Sequence, residues 1–374
     1  MTASREFYAP GRVNLIGEYI DFNGGLVFPC AINRGTRVVV TEDPSVEGIS
    51  LSSEDFEFTT IVKPDADTAP IGKEWVNYPL GVMVEFAKLG YKVRGLKLHY
   101  TGDLPHSAGL SSSASISVLT ACVINTIAGA SLSAQEIALL AQRSENSFIN
   151  VQCGIMDQFV ISVAEAGCAI ALDCNSLKYE LIPLNLGDYR LVIGNTNQPR
   201  ELKGSAYNDR VVECQSALKL LAPVTGASQL AHINPEQLHE NCHLLTDPVV
   251  RNRATHVVEE SDRVKRATVA LKAGQLEEFG QMMVQSHESL RDLFEVSSAT
   301  LDCMVDLAMK AEGVIGSRMT GAGFGGCTVS MVHADSVDSF IQNVGAAYST
   351  AMNLQADFYV TTATSGAGEV TSVI

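Results

Sequence analysis

The chain has 374 residues, 46% of them hydrophobic and 18% charged, with one Trp and a formal net charge of −16. That length allows a sizeable core in about two or three domains, and the acidic balance excludes the basic face that nucleic acid or an anionic membrane would require. Nine scattered cysteines without a CxxC pair read as reduced thiols, and no apolar run reaches the length of a membrane span, so a soluble, cytoplasmic protein is expected.

Residues 1–41 open with a short extended segment and a turn at Pro10-Gly11; strand-like runs at 26–32 and 36–40 follow the Asn23-Gly24 turn. Between the turns lie Arg12, Asn14, Glu18 and Asp21. The two carboxylates either belong to a solvated loop or accept hydrogen bonds from sugar hydroxyls, for which ionised carboxylates are strong partners. Residues 42–70 are polar and acidic and read as edge strands with a surface loop. A helix is expected over 75–88, with Pro79 in its early part and Gly90 closing it. Its Trp75 and Tyr78 are either packing aromatics or walls of a nucleotide pocket.

Leu96, Leu98 and Tyr100 alternate as in a strand, the stretch SAGLSSSAS occupies 107–115, and an apolar run covers 116–127. Strand, tight loop and helix follow from that order. Gly109 lets the backbone come close to a ligand, and Ser111, Ser112 and Ser113 leave amides and hydroxyls at a helix N-terminus, which suits an anion. No Lys-Ser/Thr pair closes the loop, so it is not a Walker A loop. A serine-rich cap on a buried helix is the plain alternative.

A second helix is expected over 133–148, opened by Ser133 with Glu136 three residues on. Glu145 near its end becomes a metal-ligand candidate if it faces the serine loop. In CGIMDQF, Gly154 frees the backbone and Asp157 sits among Ile155, Met156, Phe159 and Val160. An acid in an apolar run needs a partner or a job, capping a helix included. Strands are expected at 169–173 and 190–195, with a loop at 195–210 and a helix from Tyr207 to Leu221. A boundary near Gly187 divides the chain into domains 1–187 and 188–374; no Pro- or Ser-rich linker separates them, so both are expected to pack together and line one cleft. Residues 252–292 read as helical with a break near Gly274, and their His256 and His287 as surface or packing histidines. The segment 313–332 reads as a helix end, a loop with Gly321, Gly323, Gly325 and Gly326, and a strand at 327–332. After Ser365 the small polar tail reads as disordered.

Three stretches in this order, GRVNLIGEYIDFNGG, SAGLSSSAS and GSRMTGAGFGGC, resemble the three motifs of the GHMP small-molecule kinases. The first is similar to that of galactokinases in particular, as are CGIMDQ and SAYNDR. The resemblance implies an α+β fold of two domains, the N-terminal one like ribosomal protein S5 domain 2 and the C-terminal one ferredoxin-like, with the active site in the cleft between them. It implies ATP-dependent phosphorylation of the anomeric hydroxyl of galactose, giving galactose 1-phosphate and ADP, with Mg²⁺ as cofactor. Carried over by motif, Asp157 is implied as catalytic base and Arg12 as the cation beside it, while Glu18, Tyr19, Asp21, Gly154 and Tyr207 are implied as sugar contacts. Ser107, Ala108, Gly109, Leu110, Ser111, Ser112 and Ser113 are implied as the triphosphate loop, Ser113 and Glu145 as Mg²⁺ ligands, and Gly321 to Gly326 as the loop closing over the site.

The chain departs from the family's usual GEHTDYN by carrying Tyr19, Ile20 and Phe22 in place of His, Thr and Tyr, and from its usual Gly by carrying Ser107. Tyr19 keeps a hydroxyl, with a longer reach, where the far end of the sugar is expected. Alternatives are a related sugar-1-kinase acting on N-acetylgalactosamine, galacturonate or a pentose, and a sensor that binds galactose and ATP without turnover. A monomer is expected, with no nucleic-acid or membrane partner.

Overall fold

Strand β1 (Ser4–Asn14) buries Phe7 and Ala9 and β3 (Pro29–Glu42) buries Val38 and Val40, while Val39 between the latter points out. This period-two burial puts one face of the first sheet onto a core. In this computed structural model the described residues are 4–72, 74–105, 108–198 and 203–370, with side chains omitted for 203–205. Short β2 (Leu26–Val27) precedes β3; β4 (Ile49–Ser53), β5 (Phe56–Val62) and β6 (Leu96–Gly102) come next. The chain continues with β7 (Cys168–Asp173), β8 (Tyr179–Pro183), β9 (Tyr189–Asn195), β10 (Val314–Thr320), β11 (Cys327–His333), β12 (Asp357–Thr361) and β13 (Gly368–Glu369). The six-stranded first sheet runs β13-β1-β3-β6-β4-β5, with only β4 and β6 parallel among the pairings described; a four-stranded antiparallel sheet runs β10-β11-β9-β12, and β2-β7-β8 form a third.

Helices α1 (Glu74–Lys88), α2 (Ser112–Ala128), α3 (Ala134–Ser144) and α4 (Met156–Val163) layer against the first sheet through α2 and α4. Then come α5 (Lys203–Thr225), α6 (Pro235–Asn241), α7 (Pro248–Lys272), α8 (Leu276–Asp292), α9 (Ala299–Lys310) and α10 (Val337–Met352). Helices α8 and α9 pack on β10, and α10 packs on α9. One apolar core runs continuously from Phe7, Val118 and Ile161 to Val264, Phe279 and Met319, so the early and late parts of the chain share an interior. A smaller core of Val192, Met304, Phe340 and Tyr348 lies under α9 and α10.

Several elements differ from expectation. Pro10-Gly11 lies within continuous β1 and is not a turn; opposite it β3 carries two extra residues, Asn33 and Arg34, as a bulge at which the register shifts. Residues 36–40 belong to the same long strand as Pro29, because β3 bends past that bulge and stays paired on both sides of it. Helix α3 stops at Ser144 and hands over to a single wide turn at Glu145–Ile149. Helix α5 begins before Tyr207, at Lys203. Val314–Thr320 is a strand, not a helix end; its Ser317, Arg318 and Thr320 are all buried, which hides the usual alternation. The tail expected to be disordered returns to the first sheet: Gly368 pairs with Tyr8, and Arg5 holds Glu369 through two bonds of 2.6 and 2.7 Å. Of the two readings open for His256 and His287, surface or packing, burial of both rings bears out packing.

Candidate active site

The serine loop delivers its residues to one open cavity of ≈ 370 Å³, lined by Gly109, Ser111, Ser112 and Ser113 together with Arg12, Glu18, Tyr19, Asp21, Glu145, Gly154, Asp157, Tyr207 and the glycine loop from Gly321 to Phe324. Ser111 ends the loop in a left-handed conformation (φ 63°), and α2 starts at Ser112 with no side chain capping its first amides and no acid in its first turn. Helix N–H groups left in that state attract an anion. Ala108 and Leu110 are buried beneath the loop and anchor it. Ser107 lies outside the described residues.

Asp157, in the first turn of α4, meets Arg12 of β1 across the cavity floor. Arg12 Nε and Nη2 donate to Asp157 Oδ1 and Oδ2, each at 2.8 Å, and Ser111 Oγ donates to Oδ2 at 2.5 Å. The third nitrogen, Arg12 Nη1, donates to Gly109 O at 2.7 Å. One buried guanidinium therefore aligns the carboxylate and the serine loop together, a task for the planar fork of Arg. Three donors occupy three of the roughly four acceptor sites of the Asp157 carboxylate. One remains for an incoming hydroxyl.

Two further carboxyls border the same space. Asp21 is pushed up to about 7, first by burial and then by the charge of Asp157. It packs so tightly on Gly154 that a Cβ there would lie 1.8 Å from Asp21 Oδ2, which explains the glycine. Glu145 is also pushed up to about 7, first by burial and then by Asp157, with Gln158 and Cys153 offsetting part of the rise; its Oε1 is buried without a close hydrogen bond among the described residues, and its Oε2 receives a long contact from Cys153 Sγ at 3.8 Å. Among the described residues no cluster of three or more His, Cys, Asp or Glu side chains could hold a metal. Glu145 and Ser113 line the same cavity, and a buried carboxylate with a hydroxyl on another wall nonetheless fits a hard divalent cation whose remaining ligands are phosphate and water. Burial, followed by Asp21, raises the Tyr207 phenol well above its ordinary value, so it stays a donor at neutral pH.

Behind the sugar-side loop lies support that sequence reasoning missed. Glu260, fully buried, accepts from Gly17 N–H at 2.9 Å and from Ser286 Oγ at 2.5 Å and pairs with Arg263. Arg318 Nη1 donates to Asn14 O at 2.7 Å. His256 sits between Ser289 Oγ and Glu18 O at 2.8 and 3.2 Å; burial lowers it to about 4, so the neutral ring donates from Nε2 and accepts at Nδ1. Nothing in HVVEESDR marks these residues, because helical charge normally faces water.

Residues 3–42 match the galactokinase galactose-binding signature, residues 77–165 the GHMP kinases N terminal domain and residues 267–350 the GHMP kinases C terminal. Galactokinase of Clostridium acetobutylicum is 43% identical over 369 residues, covering 97% of this chain and 94% of that one, and galactokinase of Bacillus subtilis strain 168 is 44% identical over 370 residues, covering 98% and 94%. The chain belongs to the galactokinase family of GHMP kinases.

It is therefore a kinase with the two-domain GHMP architecture. A galactokinase from Lactococcus lactis, solved in complex with galactose, superposes with a TM-score of 0.95 at 39% identity over 98% of this chain and 95% of that one. A mevalonate kinase at 20% identity and TM-score 0.69 shares the fold. The residues expected from the galactokinase motifs line the cavity described above, apart from Ala108 and Leu110 beneath the loop, Gly325 and Gly326 at the far end of the glycine loop, and Ser107 outside the described residues. Tyr78 lines it too, whereas Trp75 stacks on Phe56 at 5.7 Å and packs against Tyr100, a packing role. No described helix is long and apolar enough to cross a membrane.

Proposed function

We propose that the protein transfers the γ-phosphoryl group of ATP to the anomeric hydroxyl of galactose, giving galactose 1-phosphate and ADP. The observation that carries this reading is the Arg12–Asp157–Ser111 constellation at the uncapped start of α2. Galactose is favoured by the galactose-binding signature over residues 3–42 and by the galactose complex of the Lactococcus lactis relative. Phosphoryl transfer asks for positioning and charge stabilisation more than covalent chemistry. Asp157 receives the proton of the attacking hydroxyl at its remaining acceptor site, and Arg12 fixes the carboxylate while its charge offsets that gathering on the transferred group. Amides of the Ser111–Ser113 segment, with Gly109, hold the phosphates. Asp21 and Tyr207 supply an acceptor and a donor to sugar hydroxyls, Glu18 and the Tyr19 ring complete that wall, and Gly154 leaves it room. Ser113 and Glu145 would hold Mg²⁺, which supplies charge neutralisation on the phosphates when bound.

The reading divides the chain into domains 1–187 and 188–374, with the phosphate loop and Asp157 from the first and the glycine loop from the second. A non-catalytic sensor has no reason to keep Asp157 so fully aligned. The deciding experiment is Mg²⁺-dependent ADP release from ATP with galactose, glucose, 2-deoxygalactose, N-acetylgalactosamine and galacturonate. Galactose is expected to be turned over fastest. A faster rate with another sugar would replace the substrate but keep the chemistry, and galactose binding without ADP release would establish a sensor.

A further inference from the structure

Consecutive residues of the sugar motif grip consecutive residues of the glycine loop. Glu18 Oε1 accepts from Gly321 N–H at 2.6 Å and from Thr320 Oγ1 at 3.2 Å, and the Tyr19 hydroxyl donates to Ala322 O at 2.5 Å. Gly321 in turn lies directly on the phosphate loop: a Cβ there would be 2.6 Å from Gly109 O, the same oxygen that accepts from Arg12 Nη1. Any displacement of the glycine loop is therefore felt at the backbone that faces the phosphates.

Tyr19 is built to hold still. Its backbone is left-handed, φ 65°, a conformation a bulky aromatic residue adopts only when its surroundings impose it. Those surroundings are aromatic: ring centroids of Phe294, Tyr207 and Phe22 lie 4.8, 5.4 and 6.3 Å from that of Tyr19. The side chain is 4% exposed, and what it turns toward the cavity with Tyr207 is mostly ring, since its O–H is aimed at Ala322.

We propose that Tyr19 is a positioning residue for the nucleotide side of the site: its hydroxyl, through Ala322, seats the glycine loop against the phosphate loop, while its ring serves only as a wall to the sugar. The sugar half of this statement rests on galactose as the substrate, and the loop half on the proposed assignment of the serine loop to the nucleotide. A Tyr at this position then does work that a sugar-binding side chain would not, since it joins the two ligand sites by one hydrogen bond.

Tyr19→Phe removes that hydroxyl and keeps the ring. Loss of one partly buried neutral hydrogen bond to the loop is expected to raise KM for MgATP about fivefold and to leave KM for galactose within about twofold. Calorimetric titration of a non-hydrolysable ATP analogue with Mg²⁺, in the absence of sugar, is expected to show weakening by the same factor. That second titration works even if galactose proves not to be the substrate, so failure of the sugar reading and failure of the latch are separately visible. A rise confined to KM for galactose would assign the hydroxyl to the sugar and overturn the proposal. An equal rise in both constants, or no change in either, would overturn it as well.

Discussion

Asp21 is a carboxyl that the fold makes expensive to ionise. Burial and the nearby Asp157 push it up to about 7 from its ordinary 3.8, so between those pH values the folded protein keeps a proton that the unfolded chain has released. Stability from this source is therefore full at acid pH and declines as pH rises toward about 7. The effect amounts to no more than about 2 kcal/mol once solvent at the cavity mouth is allowed for. In the ligand-free enzyme, Asp21→Asn is expected to lose this decline, so the stability of the variant relative to the parent grows from pH 5 to pH 8. Urea unfolding at the two pH values reads it directly, and a difference independent of pH would show that Asp21 is not held protonated. The residue types of the site were visible from the chain itself: an acid in an apolar run, carboxylates beside a glycine turn and serines opening a helix all break the pattern around them. What stayed hidden was partnership. No spacing rule joins Arg12 to Asp157, 145 residues apart, a pairing that only the family resemblance implied, or Tyr19 to Ala322, 303 residues apart, which nothing but the tertiary fold reveals.

Elements with their own punctuation were legible, and those defined by their neighbours were not. Helix α3 carries a complete capping box, with Glu136 N–H bonded to Ser133 Oγ and Glu136 Oε2 bonded to Ser133 N–H, and its start was read correctly from four letters. Its end was not, because the wide turn at Glu145 has no sequence signature and is stabilised by packing against α1. Since α3 leads into the residue assigned to Mg²⁺, its cap tests whether local helix stability and site geometry are separable. Ser133→Ala is expected to cost about 1 kcal/mol of stability with turnover unchanged. A matching fall in turnover, measured at a temperature where the variant is fully folded, would show that fraying at this end reaches Glu145. Strand β10 failed for a different reason. Buried on both faces, with Arg318 and Thr320 committed to the backbone of Asn14, it shows neither alternation nor an apolar run.

Across the whole molecule the site is assembled by bringing together segments far apart in sequence. In the proposed reaction the serine loop, β1 and α4 would supply the chemistry, while β10 and the glycine loop lean on them through Asn14, Glu18 and Tyr19. A continuous core beneath the cavity and the return of the chain to β1 at its last described strand bind these parts into one body. Such a frame can hold Asp157 and Arg12 in register before any ligand arrives, which is the preorganisation that electrostatic catalysis depends on. In the proposed reaction Asp157 does chemistry there and not only packing. Asp157→Asn preserves shape and part of the hydrogen bonding, so galactose and MgADP should still bind within a few-fold of the parent by calorimetry, while Mg²⁺-dependent ADP release with galactose should fall by about 10²–10⁴-fold. Turnover close to that of the parent, with both ligands bound, would remove Asp157 from the reaction and reduce it to a structural partner of Arg12.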